Sequence, residues 1–187
     1  MAGHEAYFQY LKGRSRAAWL YRRFLLYPIL CRHLKGDAVD IGCGVGDMLS
    51  YRPNTIGVDL NPLTVEHCRR RGFDAVLMEA DRLPFPDGRF ASAVLDNVLE
   101  HIARPEKLLD EARRVLEPGG ILMVGVPGRR GYFSDADHKV YYDERALTSV
   151  VERQGFCCRR IVHIPFRASI LSRTLRQYCL YGVFVRV

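Results

Sequence analysis

Short apolar runs recur through the middle of the chain, at residues 38–41, 55–58, 74–78, 91–95 and 121–126. Each has the length of a strand buried on both faces. Between them lie stretches with helical spacing. Residues 62–71 start at Pro62 and stop at Gly72, which are favoured first and last positions for a helix. Residues 105–116 carry an apolar stripe at Leu108, Leu109, Ala112 and Leu116. Strands alternating with helices in this way predict a parallel sheet covered by helices. Glu117-Pro118-Gly119-Gly120 predicts a turn into the run at 121–126, and a long loop follows at 127–142. A helix over 143–154, a strand over 157–164, a helical stretch over 168–177 and an alternating strand over 178–187 complete the chain. Upstream, residues 5–34 read as helical, with Ala17, Leu20, Phe24 and Tyr27 near helical spacing. Pro28 should kink that stretch or start a new helix. Trp19, Tyr21, Phe24 and Tyr27 alternate with Arg14, Arg16, Arg22 and Arg23, and core packing is the plainer account of these aromatics.

The length of 187 residues suits one domain, with 1–36 as a helical cap on a core spanning 37–187. The hydrophobic fraction of 48% is enough to fill a sizeable core. The six cysteines form no Cys-x-x-Cys pair, and no residues stand at metal-ligand spacing. Cys157 and Cys158 suit opposite faces of a strand. Reduced, buried thiols are expected, and with them a cytoplasmic protein. The apolar run before Leu30 is short and contains Pro28, so neither a signal peptide nor a membrane span is expected. The net charge of +7 is unevenly placed. Residues 1–36 hold seven Lys or Arg and one acid, and residues 153–187 hold seven Arg and none. The middle holds 14 bases against 20 acids. Solvated surface explains this as well as basic flanks that meet an anionic partner, such as an anionic membrane contacted peripherally.

The chemistry centres on Asp40-Ile41-Gly42-Cys43-Gly44-Val45-Gly46, which follows the first apolar run. Glycines there permit a tight turn and close approach of a ligand. A dinucleotide loop requires Gly-x-Gly-x-x-Gly, and this chain has Asp47 at the third glycine position. An acid at that place disfavours a pyrophosphate and tolerates a cationic ligand. The second run ends at Asp59, within Gly57-Val58-Asp59-Leu60-Asn61-Pro62. The third leads into Glu79-Ala80-Asp81-Arg82-Leu83-Pro84-Phe85. The fourth leads into Asp96-Asn97-Val98-Leu99-Glu100-His101-Ile102.

Taken in order, the glycine loop, the acid after the second run, the Leu-Pro-Phe segment and the Pro-Gly-Gly turn resemble class I S-adenosylmethionine (AdoMet) methyltransferases. The likeness is to the small-molecule group that includes quinone-biosynthesis enzymes, called methyltransferase type 11. It covers about residues 38–165 by motif. The resemblance implies an α/β, Rossmann-like three-layer sandwich. Its seven-stranded, mostly parallel sheet would have the order 3-2-1-4-5-7-6, with strand 7 antiparallel and helices added at the N-terminus. It also implies roles for named residues. Asp40, Gly42, Cys43, Gly44 and Gly46 would cradle AdoMet. Asp59, with Leu60 beside it, would take the ribose hydroxyls. Glu79 would take the adenine amino group, with Asp81 as the alternative and Ala80 donating from its backbone. Asp96 and Asn97 would lie at the methionine end.

On the acceptor side, His101 and His138 are the candidate general bases, because histidine titrates near neutral pH. Tyr132, Tyr141 and Tyr142 in the long loop are assigned to substrate, since long ordered loops at a sheet's carboxyl edge are usually functional. No metal is expected. The implied reaction is methyl transfer to oxygen, nitrogen or carbon of a small-molecule or lipid-linked acceptor, leaving S-adenosylhomocysteine. The segment after the fourth run lacks the Asn/Asp-Pro-Pro-Tyr/Phe pattern of base-amino methylation, which makes nucleic acid the less favoured partner. An RNA methyltransferase and a non-catalytic AdoMet-binding partner protein stay as alternatives. The sequence does not specify an oligomeric state.

Overall fold

A computed structural model describes residues 2–187. Seven strands form one sheet in the order β3-β2-β1-β4-β5-β7-β6. They are β1 (Ala38–Ile41), β2 (Thr55–Asp59), β3 (Ala75–Leu77), β4 (Phe90–Asp96), β5 (Leu116–Pro127), β6 (Phe156–Ile164) and β7 (Cys179–Arg186). The first five run parallel, and β7 lies antiparallel between β5 and β6. This is the order the motifs imply.

The central strands are apolar throughout because both faces are covered. Along β4, Ala93 and Leu95 face one layer and Val94 the other, as the two-residue period of a strand requires. The first layer is α6 (Glu106–Val115) and α8 (Glu144–Glu152), whose Leu108, Leu109, Ala112, Leu147 and Val151 are buried. Each fully buried leucine there contributes roughly 1.5–3 kcal/mol. The second layer is α3 (Tyr27–Cys31) and α4 (Asp47–Tyr51), which bring Tyr27, Leu30 and Met48 against Val94, Met123 and Tyr181.

The N-terminal stretch is not the continuous helix its pattern predicts. It divides into α1 (Ala2–Lys12), α2 (Arg16–Tyr21), a π-helical turn (Arg22–Leu26) and α3. Gly13 and the Ser15 cap, whose Oγ accepts from the Ala18 N–H at 3.2 Å, end one helix and start the next. The π turn precedes Pro28, which has no N–H and lies in the first turn of α3. The widened turn changes the phase of the apolar stripe. Leu26, Tyr27 and Leu30 are therefore buried, while Ala17, Trp19, Leu20 and Phe24 stand exposed. Core packing thus accounts for Tyr27 but not for Trp19 or Phe24.

Smaller departures have local causes. Residues 117–120 loop out within β5, between the pairs Phe90–Leu116 and Ser92–Ile121. The loop at 127–142 contains a short helix, α7 (Arg129–Tyr132). The remaining helices are α5 (Pro62–Arg70) and α9 (Ser169–Thr174). All six cysteines are free, but Cys157 is exposed on the edge strand β6 and is not buried as expected. Among the described residues, no helix is long and apolar enough to cross a membrane.

Candidate cofactor and acceptor site

The glycine loop leaves β1 and turns back over β2. The N–H groups of Gly42 and Cys43 both donate to the Val58 carbonyl, at 2.8 and 3.0 Å. Gly42, at φ +78°, has no room for a side chain, because a Cβ would lie 2.6 Å from Cγ2 of Val98. Asp59, at the carboxyl end of β2, accepts from the Gly44 N–H at 2.9 Å and from the Asn61 N–H at 2.8 Å. Asn61 in turn caps α5 and donates to the His4 carbonyl at 2.8 Å, which ties α1 to the site. Phe8 and Leu11 of α1 pack on Val45, so this helix lies over the loop. Leu60 is exposed beside Asp59.

Acids stand at the carboxyl ends of neighbouring strands. Asp40 is buried on β1, and its carboxyl is held well above the usual carboxylate range by burial and by the charges of Asp96 and Asp59. Asp96, at the end of β4, accepts from the Tyr181 hydroxyl at 2.7 Å and the Asn97 amide at 2.8 Å. Asn97 itself sits at φ +57°, a strained backbone position for a residue other than glycine. Arg22, from the π turn, donates to Asp96 at 3.3 Å and lies 3.8 Å from Asp47. In the sequence Arg22 belongs to the basic N-terminal flank. Nothing local marks it as a partner of Asp96, which it meets only through the packing of the N-terminal helices on the sheet. Beyond β3, Glu79 and Ala80 are exposed, and Asp81 forms an exposed ion pair with Lys107 at 3.3 Å.

The acceptor side is assembled from distant segments. His101 ends a 3-10 turn (Leu99–His101), and its ring centroid lies 4.6 Å from that of His138. Burial and the His138 charge push the His101 imidazole below its ordinary pKa. His138 shares its Nδ1 with the Tyr132 carbonyl at 2.8 Å. Its ring lies 5.5 Å from that of Tyr132, which lies 5.4 Å from Tyr141. Beside the two histidines is Glu100, a residue with no counterpart among the sequence-based candidates. Glu100 is sealed from solvent, neither of its carboxylate oxygens has a hydrogen-bond partner, and burial pushes it up to about 8. Its one signal was an acid within the apolar run Val98-Leu99-Glu100-His101-Ile102. Tyr142 is buried in the main core with Leu147 and Val150, and burial, with the charges of Glu106 and Glu100, pushes its phenol up to about 12.

The donor set fits AdoMet by its charge. Asp40, Asp59 and Asp96 converge at one edge, and among the described residues Arg22 is the cation that meets them. A ligand carrying an ammonium and a sulfonium supplies what such a site lacks, whereas a pyrophosphate would add to the excess. The loop backbone would meet the same ligand without side chains in the way.

Residues 39–124 match a family described as a methyltransferase domain. A probable S-adenosylmethionine-dependent methyltransferase of Mycolicibacterium smegmatis is 29% identical over 151 residues, covering 74% of this chain and 59% of that protein. A fatty-acid O-methyltransferase of the same organism is 39% identical over 124 residues, covering 58% of this chain and 41% of that protein. A solved structure of a SAM-dependent methyltransferase from Thermotoga maritima, described as a possible histamine N-methyltransferase, superposes with a TM-score of 0.72 at 21% identity. That match covers 100% of this chain and 95% of the other. The chain spans about half the length of the curated relatives it matches. Residues 39–124 thus match a methyltransferase domain, on the Rossmann-like fold that the solved SAM-dependent methyltransferase shares.

Proposed function

We propose that the chain transfers a methyl group from AdoMet to an oxygen of a small amphiphilic acceptor. The observation that carries this reading is the division of the carboxyl edge. The glycine loop and three strand-end acids lie on one side, and a wall of His101, His138, Glu100 and aromatic rings lies on the other. Asp59 would hold the ribose hydroxyls with the lone pairs left free by Gly44 and Asn61. Asp40 and Asp96 would balance the positive charge at the methionine end. Glu79 and Ala80 would close the adenine end. When bound, AdoMet supplies a methyl group already activated on sulfur. The work left to the chain is alignment and exclusion of water, which together account for a large part of a barrier of this kind. Tyr132, Tyr141 and His138 would shape the acceptor side.

The amphiphilic character of the acceptor rests on what surrounds that wall. Phe133 is exposed next to Tyr132, and Tyr141, Phe166 and Ile170 are exposed on neighbouring segments. Arg129 and Arg130 stand on α7 among them. Apolar surface interleaved with arginine suits an acyl chain with an anionic head, whether free or in an anionic bilayer. The fatty-acid methyltransferase among the relatives points the same way.

Calorimetry should give AdoMet and S-adenosylhomocysteine affinities far above that for NAD. Transfer of tritiated methyl should then be measured to fatty acids, phenolic lipids and transfer RNA. Label on a lipid oxygen supports the reading. Label on RNA alone moves the acceptor to nucleic acid, which the two basic flanks would then serve. AdoMet binding with no transfer to any acceptor favours a non-catalytic partner protein.

A further inference from the structure

We infer that Glu100, His101 and His138 form a site for a divalent first-row metal ion, with an open position toward the acceptor. Each residue offers one ligand atom, and these atoms lie within 4.8 Å of one another. Oε1 of Glu100 is 3.8 Å from Nε2 of His138. Metal bonds to nitrogen and carboxylate oxygen are about 2.0–2.2 Å long, so ligand atoms sharing one ion sit roughly 3–4 Å apart. The trio therefore needs only a small contraction to close on an ion.

Further features point to a cation and not to packing alone. Glu100 is fully buried, and both its oxygens are without a hydrogen-bond partner. A buried carboxylate is normally paired or bound to a metal. His138 is set up as a ligand. A carbonyl can only accept, so the Nδ1 facing Tyr132 carries the proton. Donation of that N–H to a carbonyl is the usual second contact of a metal-bound histidine, and it leaves the Nε2 lone pair free on the side of Glu100. The segment carrying His138 is also fixed in place. The N–H groups of Lys139 and Val140 both donate to the backbone carbonyl of Glu100, at 2.7 and 3.1 Å. These bonds hold the distant histidine against the turn that supplies the other two ligands. Spacing along the chain hides the set, because two ligands are adjacent and the third is remote.

Two imidazoles and one carboxylate suit Zn²⁺, Mn²⁺, Fe²⁺ or Co²⁺ better than Ca²⁺ or Mg²⁺. Three protein ligands leave at least one position open, as in catalytic and not structural sites. An acceptor oxygen taking that position would lose its proton to water more readily. This last role rests on the methyl-transfer reading, but the binding of the ion does not.

The test uses the untagged full chain, stripped with chelator and titrated with Zn²⁺ by calorimetry. Co²⁺ absorption in the visible reports imidazole coordination. We expect one ion per chain. Glu100→Gln, His101→Gln and His138→Gln should each weaken binding at least about tenfold, with AdoMet affinity and melting temperature close to those of the wild type. If Glu100→Gln fails to fold, the two histidine variants carry the test. Absence of stoichiometric Zn²⁺ on the wild-type chain overturns the site, as does undiminished binding by the folded variants. AdoMet binding without Zn²⁺ binding retires the metal site and leaves methyl transfer standing. Zn²⁺ binding without AdoMet binding does the reverse.

Discussion

The two halves of the carboxyl edge are built on different principles. On the β1–β2 side, the site is made of backbone. Gly42, Cys43 and Gly44 donate N–H groups to the end of β2, and Asp59 lies one strand away from the loop it fixes. Once the parallel strands pair, little else needs to be specified. On the β4–β5 side, the site is made of side chains that meet across distance. Glu100 and His101 come from a turn after β4, and His138 arrives on the segment after α7. On the proposed reading the first half would fix the cofactor and tolerate almost no change in backbone, while the second half could be rebuilt by altering one loop, where acceptor choice would vary with the cofactor constant.

The sharpest way to test this contrast is Gly42→Ala. The new Cβ would meet Val98 at 2.6 Å, at a φ of +78°. The left-handed backbone costs roughly 1–2 kcal/mol and the overpacking roughly 1–3 kcal/mol more. We expect AdoMet binding to fall beyond measurement, together with a lower melting temperature. A comparably small change on the other side, Tyr141→Phe, should leave AdoMet affinity unaltered and act only on acceptor kinetics. Equal loss of cofactor affinity in both variants would mean that the halves are not separable.

Next in size is Asp59→Ala, which should weaken AdoMet by about 1.5–3 kcal/mol, the scale of hydrogen bonds to a charged group. It also leaves the Gly44 and Asn61 N–H groups without acceptors, so the ligand-free protein should lose stability as well. Calorimetry and a thermal melt measure the two effects separately. Unchanged AdoMet affinity would take Asp59 out of the site.

The same contrast explains what the sequence could reveal. The glycine loop and Asp59 are local features, readable because each lies within a few residues of a strand end, and the sheet order comes only through the family resemblance that those motifs carry. Glu100 is not legible in the sequence because its burial and missing partners are properties of packing, which neighbours along the chain do not report. Tyr141 and Tyr142 are adjacent and chemically alike. Only the path of the segment onto the core decides that Tyr142 faces inward and Tyr141 outward. The N-terminal stripe failed for a third reason. A π turn shifts the helical phase, and periodicity counted at 3.6 residues per turn misassigns everything on one side of it.

Asp40→Asn is a smaller and two-sided test. In the ligand-free protein the Asp40 carboxyl is pushed up by burial and by neighbouring acids. Its folded pKa therefore lies above its unfolded value. Any stability linked to it is present at low pH and is lost as pH rises through the folded value. The neutral amide removes that loss. The variant should melt a few degrees above the wild type at neutral pH, where about 1 kcal/mol corresponds to roughly 2–4 °C, and the gap should close in acid. AdoMet, which needs the charge, should bind less tightly. A gap that is constant with pH would show that Asp40 does not titrate between the two states.

The smallest effect expected is at Arg22, and it probes whether charge organises the cofactor half at all. Arg22 is the protein's own cation at Asp96, 3.3 Å away and only partly exposed. AdoMet and S-adenosylhomocysteine differ chiefly in the positive sulfur of the first. A fixed cation nearby therefore disfavours the substrate form relative to the product. Arg22→Met keeps the aliphatic stem and removes the charge, while Tyr181 and Asn97 still donate to Asp96. Through an effective dielectric of about 20, a unit charge several ångströms off is worth roughly 1–2 kcal/mol, and partial exposure screens it further. The ratio of AdoMet to S-adenosylhomocysteine affinity should thus rise by about two- to fivefold in low salt and by less in high salt. The ratio cancels any general loosening of the N-terminal helices, since both ligands would feel it alike. An unchanged ratio at both ionic strengths would place the sulfonium away from Asp96 and assign Arg22 to holding the N-terminal helices on the sheet.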